Sequence, residues 1–135
     1  MYARLSILML VILLVFTSCQ NRKAETFARE AREYTEKNCP LTMDKVTRLD
    51  SVVFVEQDDR IGDMVMYYTL ILDDESRKVL MDNLGELGDM NLAELRNSVF
   101  MAKYREAGVE FTYRYRDAET GEKIAEYHFS EKDYK

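Results

Sequence analysis

The sequence predicts a two-layer α+β fold: a four-stranded antiparallel sheet made of two hairpins, with helices on one face, in the order α-β-β-α-α-β-β. Three observations carry it. Residues 109–116 alternate apolar and polar without a break, the period of a half-buried strand. Residues 64–72, MVMYYTLIL, are rich in β-branched and aromatic side chains and apolar on both faces, as a central strand is. Between them, residues 73–108 carry apolar positions at helical spacing, punctuated by capping residues and glycines.

The elements follow in order. Over 24–38, Ala24, Phe27, Ala28, Ala31 and Tyr34 share one face of a helix while most of the charges lie elsewhere. Asn38 and Pro40 end it, because Pro40 disfavours a helical Cys39. Residues 49–56 read as a strand, 57–63 as a polar turn around Asp58, Asp59 and Gly62, and 64–72 as its hairpin partner. Asp73 and Asp74 can cap the next helix, with Glu75 in its first turn. Val79, Leu80 and Leu84 would form its buried stripe, and Gly85 or Gly88 its end. Asn91 with Glu94 then offers a capping box for a further helix through Leu92, Leu95, Val99 and Ala102, stopped by Gly108. In the strand over 109–116, Val109, Phe111, Tyr113 and Tyr115 face inward. Residues 117–122 turn, and 123–130 return with Ala125, Tyr127 and Phe129 inward and His128 outward; 131–135 is a charged tail. The pattern leaves open which hairpin strands are neighbours.

Ahead of this domain stands a leader. Arg4 is followed by a twelve-residue apolar run, 5–16, broken only by Ser6, and then by the small residues Thr17 and Ser18 before Cys19. A short apolar run behind a positive charge is a secretory signature. It is too short for a membrane-spanning helix, which needs roughly 20 apolar residues. The expected division is a signal peptide over 1–18, a short polar tether over 19–23, and one α+β domain over 24–135.

Phe16-Thr17-Ser18-Cys19 resembles the lipobox of bacterial lipoproteins. The resemblance implies a diacylglycerol attached to the Cys19 thiol, cleavage between Ser18 and Cys19, and acylation of the new amino group, with palmitate-type chains. Two or three acyl chains hold a protein at a bilayer far more firmly than one, at about 0.8 kcal/mol per buried CH₂. The domain itself resembles small envelope lipoproteins common in Bacteroidota-like bacteria. The likeness rests on Asn38-Cys39-Pro40, Thr47-x-Leu49-Asp50-Ser51-Val52, Tyr67-Tyr68-Thr69-Leu70 and Gly108-Val109-x-Phe111-x-Tyr113-x-Tyr115. It implies a compartment and no particular chemistry. An acidic run after the lipidated cysteine looks like a surface-export signal in such bacteria. Here Gln20-Asn21-Arg22-Lys23 stands in its place, which favours an outer-membrane protein facing the periplasm.

Charge narrows the partners. The leader holds one of the 19 basic residues and none of the 25 acidic ones, so the chain from Cys19 onward has a net charge of −7. Nucleic-acid binding rests on Lys and Arg neutralising phosphates, and this balance argues against it. Acylation of Cys19 would leave Cys39 as the one remaining thiol, expected to be shielded because free cysteine packs as a small hydrophobe.

The candidate chemistry is thin. Cys39 and the single histidine, His128, could form a thiol–imidazole pair, but His128 falls on the outward face of its strand. One histidine and one spare cysteine do not make a zinc site. Asp58, Asp59 and Asp63 lack the spacing of a calcium loop and read as a solvated turn. Asp73 to Glu75 are explained by capping. No catalytic set, metal or cofactor is expected.

The tyrosines are more informative. Neighbours in a strand face opposite ways, so either Tyr67 or Tyr68 should lie on the open face beside Arg114 and Arg116. Tyr67, Tyr68, Arg114 and Arg116 are therefore the expected contact surface. The reading that follows is a non-enzymatic, lipid-anchored envelope protein binding a partner or ligand through its sheet. The alternatives are an inhibitor or immunity-like protein, from the likeness of a helix-on-sheet fold to the cystatin arrangement, and a thiol enzyme using Cys39.

Overall fold

The computed structural model describes residues 2–135, with side chains from Gln20 onward. The side chains of Ser18 and Cys19, the expected cleavage and lipidation positions, lie outside the described residues. The elements are α1 (Tyr2–Asn38), β1 (Leu41–Thr42), β2 (Thr47–Val55), β3 (Asp63–Leu70), α2 (Asp74–Asp82), α3 (Leu84–Asn97), α4 (Ala102–Glu106), β4 (Glu110–Asp117), β5 (Lys123–Phe129) and α5 (Glu131–Tyr134).

The fold is α+β, but its sheet is five-stranded and mixed. The strands lie in the order β1-β2-β3-β4-β5. All neighbours are antiparallel except β3 and β4, which run parallel from Asp63↔Glu110 to Leu70↔Asp117. The expected four antiparallel strands are corrected in two ways. Residues 41–42 add a short edge strand. The two hairpins meet in parallel, the last strand of the first (β3) against the first strand of the second (β4), because α2, α3 and α4 carry the chain back along the sheet before β4 begins. A parallel pair requires such a crossover.

Register separates the two faces. Met64, Met66, Tyr68 and Leu70 of β3 pair with Phe111, Tyr113, Tyr115 and Asp117 of β4 on the helix-covered side. Leu95, Val109 and Phe111 have no exposed surface. A row of rings crosses this layer. Tyr68 stacks at 4.9 Å on Tyr115 and at 6.3 Å on Tyr113, and Tyr115 meets Tyr127 edge-on at 6.1 Å.

The first helix packs against β2. Phe27 meets Phe54 edge-on at 5.8 Å, and Ala24 and Ala31 are buried beside it. Thr35 Oγ1 accepts from the Val52 N–H and donates to the Val52 C=O, each at 2.9 Å. Beyond the two residues of β1, β2 would otherwise present an unpaired edge, and this hydroxyl satisfies it at Val52. Residues 20–23, expected as a tether, are helical and continuous with α1: they hold good helix formers and no stop signal.

Other sequence expectations are corrected by packing. Asp73 caps α2 as expected, accepting from Ser76 N at 2.7 Å. But α3 runs unbroken through Gly85, Gly88 and Asn91 to Asn97. Asn91 is not a cap: it is buried mid-helix against Tyr115. Gly88 is there for space, since a Cβ would sit 2.7 Å from the Tyr127 ring. Val79, expected in the core, is 58% exposed, and Val99 falls beyond the helix end. The charged tail forms α5, whose Tyr134 is buried and donates to Val109 O at 2.7 Å.

The two α3 glycines should respond oppositely to alanine. Gly88→Ala should cost about 1–3 kcal/mol by overpacking against Tyr127. Gly85→Ala, with nothing within 4 Å of the new methyl, should be neutral or stabilise by up to about 1 kcal/mol. Urea unfolding of both variants checks this.

Candidate functional site

A groove of about 620 Å³ opens on the helix side of the sheet, at the end where β3 and β4 finish. Its floor is Tyr68, Leu70, Leu72 and Tyr115. One wall is the turn between β1 and β2. There Asp44 Oδ1 accepts from the backbone N–H of Val46 and Thr47, both at 2.8 Å, which holds its carboxyl below the usual range. The turn raises Met43 and Val46, both exposed, at the rim. The opposite wall is α2 and α3, with Val79, Leu80, Leu87 and Met90 facing the opening. Met90 is 67% exposed.

The wall is fixed to the sheet from behind. Arg77 of α2 forms an ion pair with Asp117, a carboxylate buried at the end of β4. Asp117 Oδ1 also accepts from Glu119 N at 2.8 Å. At the floor, Asn91 Nδ2 donates to the Tyr115 hydroxyl at 2.8 Å, and that hydroxyl donates to Asn91 Oδ1 at 3.0 Å. Burial pushes the Tyr115 phenol up to about 12, against the pull of the Asn91 bond. The floor is thus uncharged at neutral pH. The groove's ionisable lining groups besides the tyrosines are Asp44, Glu75, Glu86 and Glu94, with no Lys, Arg or His among the lining residues.

The open face, expected as the contact surface, is arranged differently. Tyr67, Arg114 and Arg116 do come together there, around a depression of about 340 Å³ that Lys123 also lines. Arg114 Nη1 donates to the Tyr67 hydroxyl at 3.1 Å, and its guanidinium carbon lies 5.6 Å from that ring's centre. Arg114 also pairs with Glu126 at 3.0 Å, and Arg116 with Asp50 at 3.6 Å and Thr69 at 3.0 Å. The cations of this face are already matched by carboxylates. Tyr68 is on the other side: its register with Leu49 and Tyr115 puts it in the groove floor, because the pleat sends Tyr67 and Tyr68 to opposite faces.

His128 lies on the open face as expected. Its Nδ1 is 2.9 Å from Thr112 Oγ1, which also lies 2.9 Å from Asp63 Oδ2. Burial is the main reason the Asp63 carboxyl is raised above its ordinary value, against the pull of Thr112 and His128. Asp63 is therefore part of the sheet face, not of a turn cluster with Asp58 and Asp59. Cys39 is partly shielded, and burial and the Asp50 charge push its thiol up. It stands just before β1, whereas His128 is on β5. With strands about 4.8 Å apart, the two are on opposite edges of the sheet and form no pair.

The groove could have been suspected from Met90, an apolar residue off the buried stripe of its helix, whereas Val79 reads as part of that stripe until the structure exposes it. Met43 and Val46 gave no such signal, since their place depends on a two-residue strand.

Arg77→Ala leaves the buried Asp117 charge without its partner and should cost about 3 kcal/mol, read by thermal or urea unfolding. For Asp63, the raised native value means its contribution is fully present below the ordinary carboxylate pKa of about 4 and lost as pH rises through the native one. The stability of Asp63→Asn relative to the natural chain should therefore increase across that window, measured by denaturant titrations at successive pH values.

The family model described as "Domain of unknown function (DUF8479)" matches residues 22–125. No curated protein matches the sequence. Two solved structures share the fold at low identity. One is a Pseudomonas aeruginosa protein provisionally described as secreted, with a TM-score of 0.67, 11% identity, and coverage of 86% of this chain and 93% of that one. The other is EpsS, the pilotin of the Vibrio vulnificus type 2 secretion system, with a TM-score of 0.64, 8% identity, and coverage of 87% and 97%.

Proposed function

The chain belongs to the family of the Domain of unknown function DUF8479, and we propose that it is a lipid-anchored accessory protein of the bacterial cell envelope whose groove holds a segment of a partner protein. The observation that carries the reading is the groove itself. Apolar side chains are left facing water at Met43, Val46, Val79 and Met90 around a concave floor, whereas Leu95, Val109 and Phe111 elsewhere on the helix side have no exposed surface. Contiguous exposed apolar surface of this kind is the usual mark of a contact site. Methionines at the rim suit a surface that adapts to its occupant.

The four carboxylates of the lining, unopposed by any lining cation, favour an apolar segment flanked by Lys or Arg. The likeness in fold to a pilotin, a component of a secretion system, supports an accessory role beside other envelope proteins. On this reading the protein acts by binding and not by catalysis. Cys39 and His128 are apart, and the open-face residues Tyr67, Arg114 and Arg116 are spent on one another and on Asp50 and Glu126.

The anchor is read from Phe16-Thr17-Ser18-Cys19. Attachment of a diacylglycerol to the Cys19 thiol, cleavage before Cys19 and acylation of the new amino group would fix the domain to a membrane, in this reading the outer membrane on its periplasmic side. Among residues 20–135, whose side chains are described, no helix is long and apolar enough to cross a membrane.

Two experiments test the two halves. Cys19→Ser should move the chain from the membrane to the soluble fraction and remove the acyl mass from its N-terminus; unchanged partitioning and mass would refute the anchor. A photo-crosslinking residue at Met90 should trap a defined protein partner in cells, and Val79→Glu should abolish the adduct without changing the melting temperature. A crosslinker at Lys123, on the open face, should trap none. The reverse pattern would move the contact surface to the sheet.

A further inference from the structure

Val99 and Phe100 are 85% and 87% exposed, the most solvent-covered of the large apolar side chains among the described residues. They form the tip of the turn between α3 and α4. This turn is not loose. Arg105 Nη1 donates to Leu95 O and to Ser98 O, both at 2.7 Å, and so clamps the end of α3 to α4. The helix α4 is in turn fixed to α1. Lys103 Nζ donates to Glu30 Oε1 at 2.9 Å, the Tyr104 hydroxyl donates to Glu30 Oε2 at 2.7 Å, and Tyr104 meets Phe27 edge-on at 4.8 Å. Burial opposes ionisation of Glu30, but Lys103 and Tyr104 together hold its carboxyl below the ordinary value.

The position of the turn matters as much as its composition. Thr35 of α1 is bonded to Val52, and Phe27 packs on Phe54. Followed back from Asn38, α1 therefore advances toward the end of the sheet where β2 finishes and β3 and β4 begin. Seven residues separate Phe27 from Gln20, about 10 Å of helix, and Gln20 directly follows Cys19. The α3–α4 turn lies at this same end, because α4 passes through Gly108 into the start of β4. The groove lies at the opposite end, beyond Leu70 and Asp117.

We propose that Val99 and Phe100 are a second membrane contact, a two-residue wedge that enters the interfacial zone of the bilayer carrying the Cys19 anchor. The inference rests on the anchor of the proposed function. A protein interface of ordinary size needs roughly 800 Å² from each partner, more than two side chains on a narrow turn supply. A bilayer has no such requirement, and isolated apolar side chains partition into its interface. The acyl chains supply attachment, and the wedge sets orientation. With this end seated, the groove faces away from the lipid.

The chain has no tryptophan, so a single indole reports on its own position. The experiment uses the full, lipidated F100W chain on vesicles of phosphatidylethanolamine and phosphatidylglycerol, with an M90W chain as its counterpart at the groove. Flotation reads attachment, and indole emission reads depth. The expected result is a blue shift and quenching by brominated acyl chains for F100W, and neither for M90W. If both chains float with the vesicles but F100W emission stays that of an indole in water, the wedge is wrong and the anchor stands. If neither chain floats, the anchor and the wedge fall together. A blue shift already present without vesicles, from a second copy covering the turn, overturns the wedge as well.

Discussion

The parallel pairing of β3 with β4 is the constraint on which the rest of the molecule depends. Eight consecutive registered pairs join the two strands, and they hold both hairpins in one sheet. Parallel neighbours cannot be joined by a tight turn, so the chain between them must travel back the length of the sheet. That path is α2, α3 and α4. Their placement buries Leu95 and Phe111, puts Gly88 against Tyr127, and leaves a gap where α2 stands off from the β1–β2 turn. The groove is the space left by the crossover.

The two faces of the sheet solve different problems. On the covered face, rings fill the volume: α3 satisfies the Tyr115 hydroxyl through Asn91 and that of Tyr127 through the Leu84 carbonyl, while Tyr134 of α5 donates to the Val109 carbonyl just before β4. On the open face, long side chains lie across the strands and pair with each other. Thr69 and Thr112 are buried beneath that layer although no helix covers them. A face whose charges are already matched offers little to a newcomer, since a new contact must first break an old one. The groove has no such internal competition. Its apolar rim gains from any cover.

The molecule also has a direction. The N-terminal part of α1, the α3–α4 turn, and the starts of β3 and β4 lie at one end; the β1–β2 turn, α2 and the groove lie at the other. Strands of eight residues separate the ends by about 26 Å. On the proposed reading, this polarity lets one end meet lipid while the other meets protein. The Glu30 contacts to Lys103 and Tyr104 matter here because they couple the helix leading to Cys19 with the turn bearing Val99 and Phe100.

The sequence by itself determined what depends on local periodicity and local sterics. It placed the end of α1 at Asn38 and the start of α2 at Asp73. It separated the faces of the strand at 109–116, put His128 outward, and identified Phe111, Tyr113 and Tyr115 as core. These follow from period and capping, which act within a few residues. Only the tertiary structure decided the rest. Strand order is a contest between hairpins far apart in the chain, and no local pattern distinguishes an antiparallel from a parallel junction. Asn91 and Gly88 look like a cap and a stop until Tyr115 and Tyr127 arrive from some 25 to 40 residues away and give them buried roles. Of Tyr67 and Tyr68, alternation required one on each side, but only the register with Arg114 and Tyr115 assigned which. The groove belongs wholly to this second class, because a concavity is made by elements that stop short of one another, and that distance is written in no single segment.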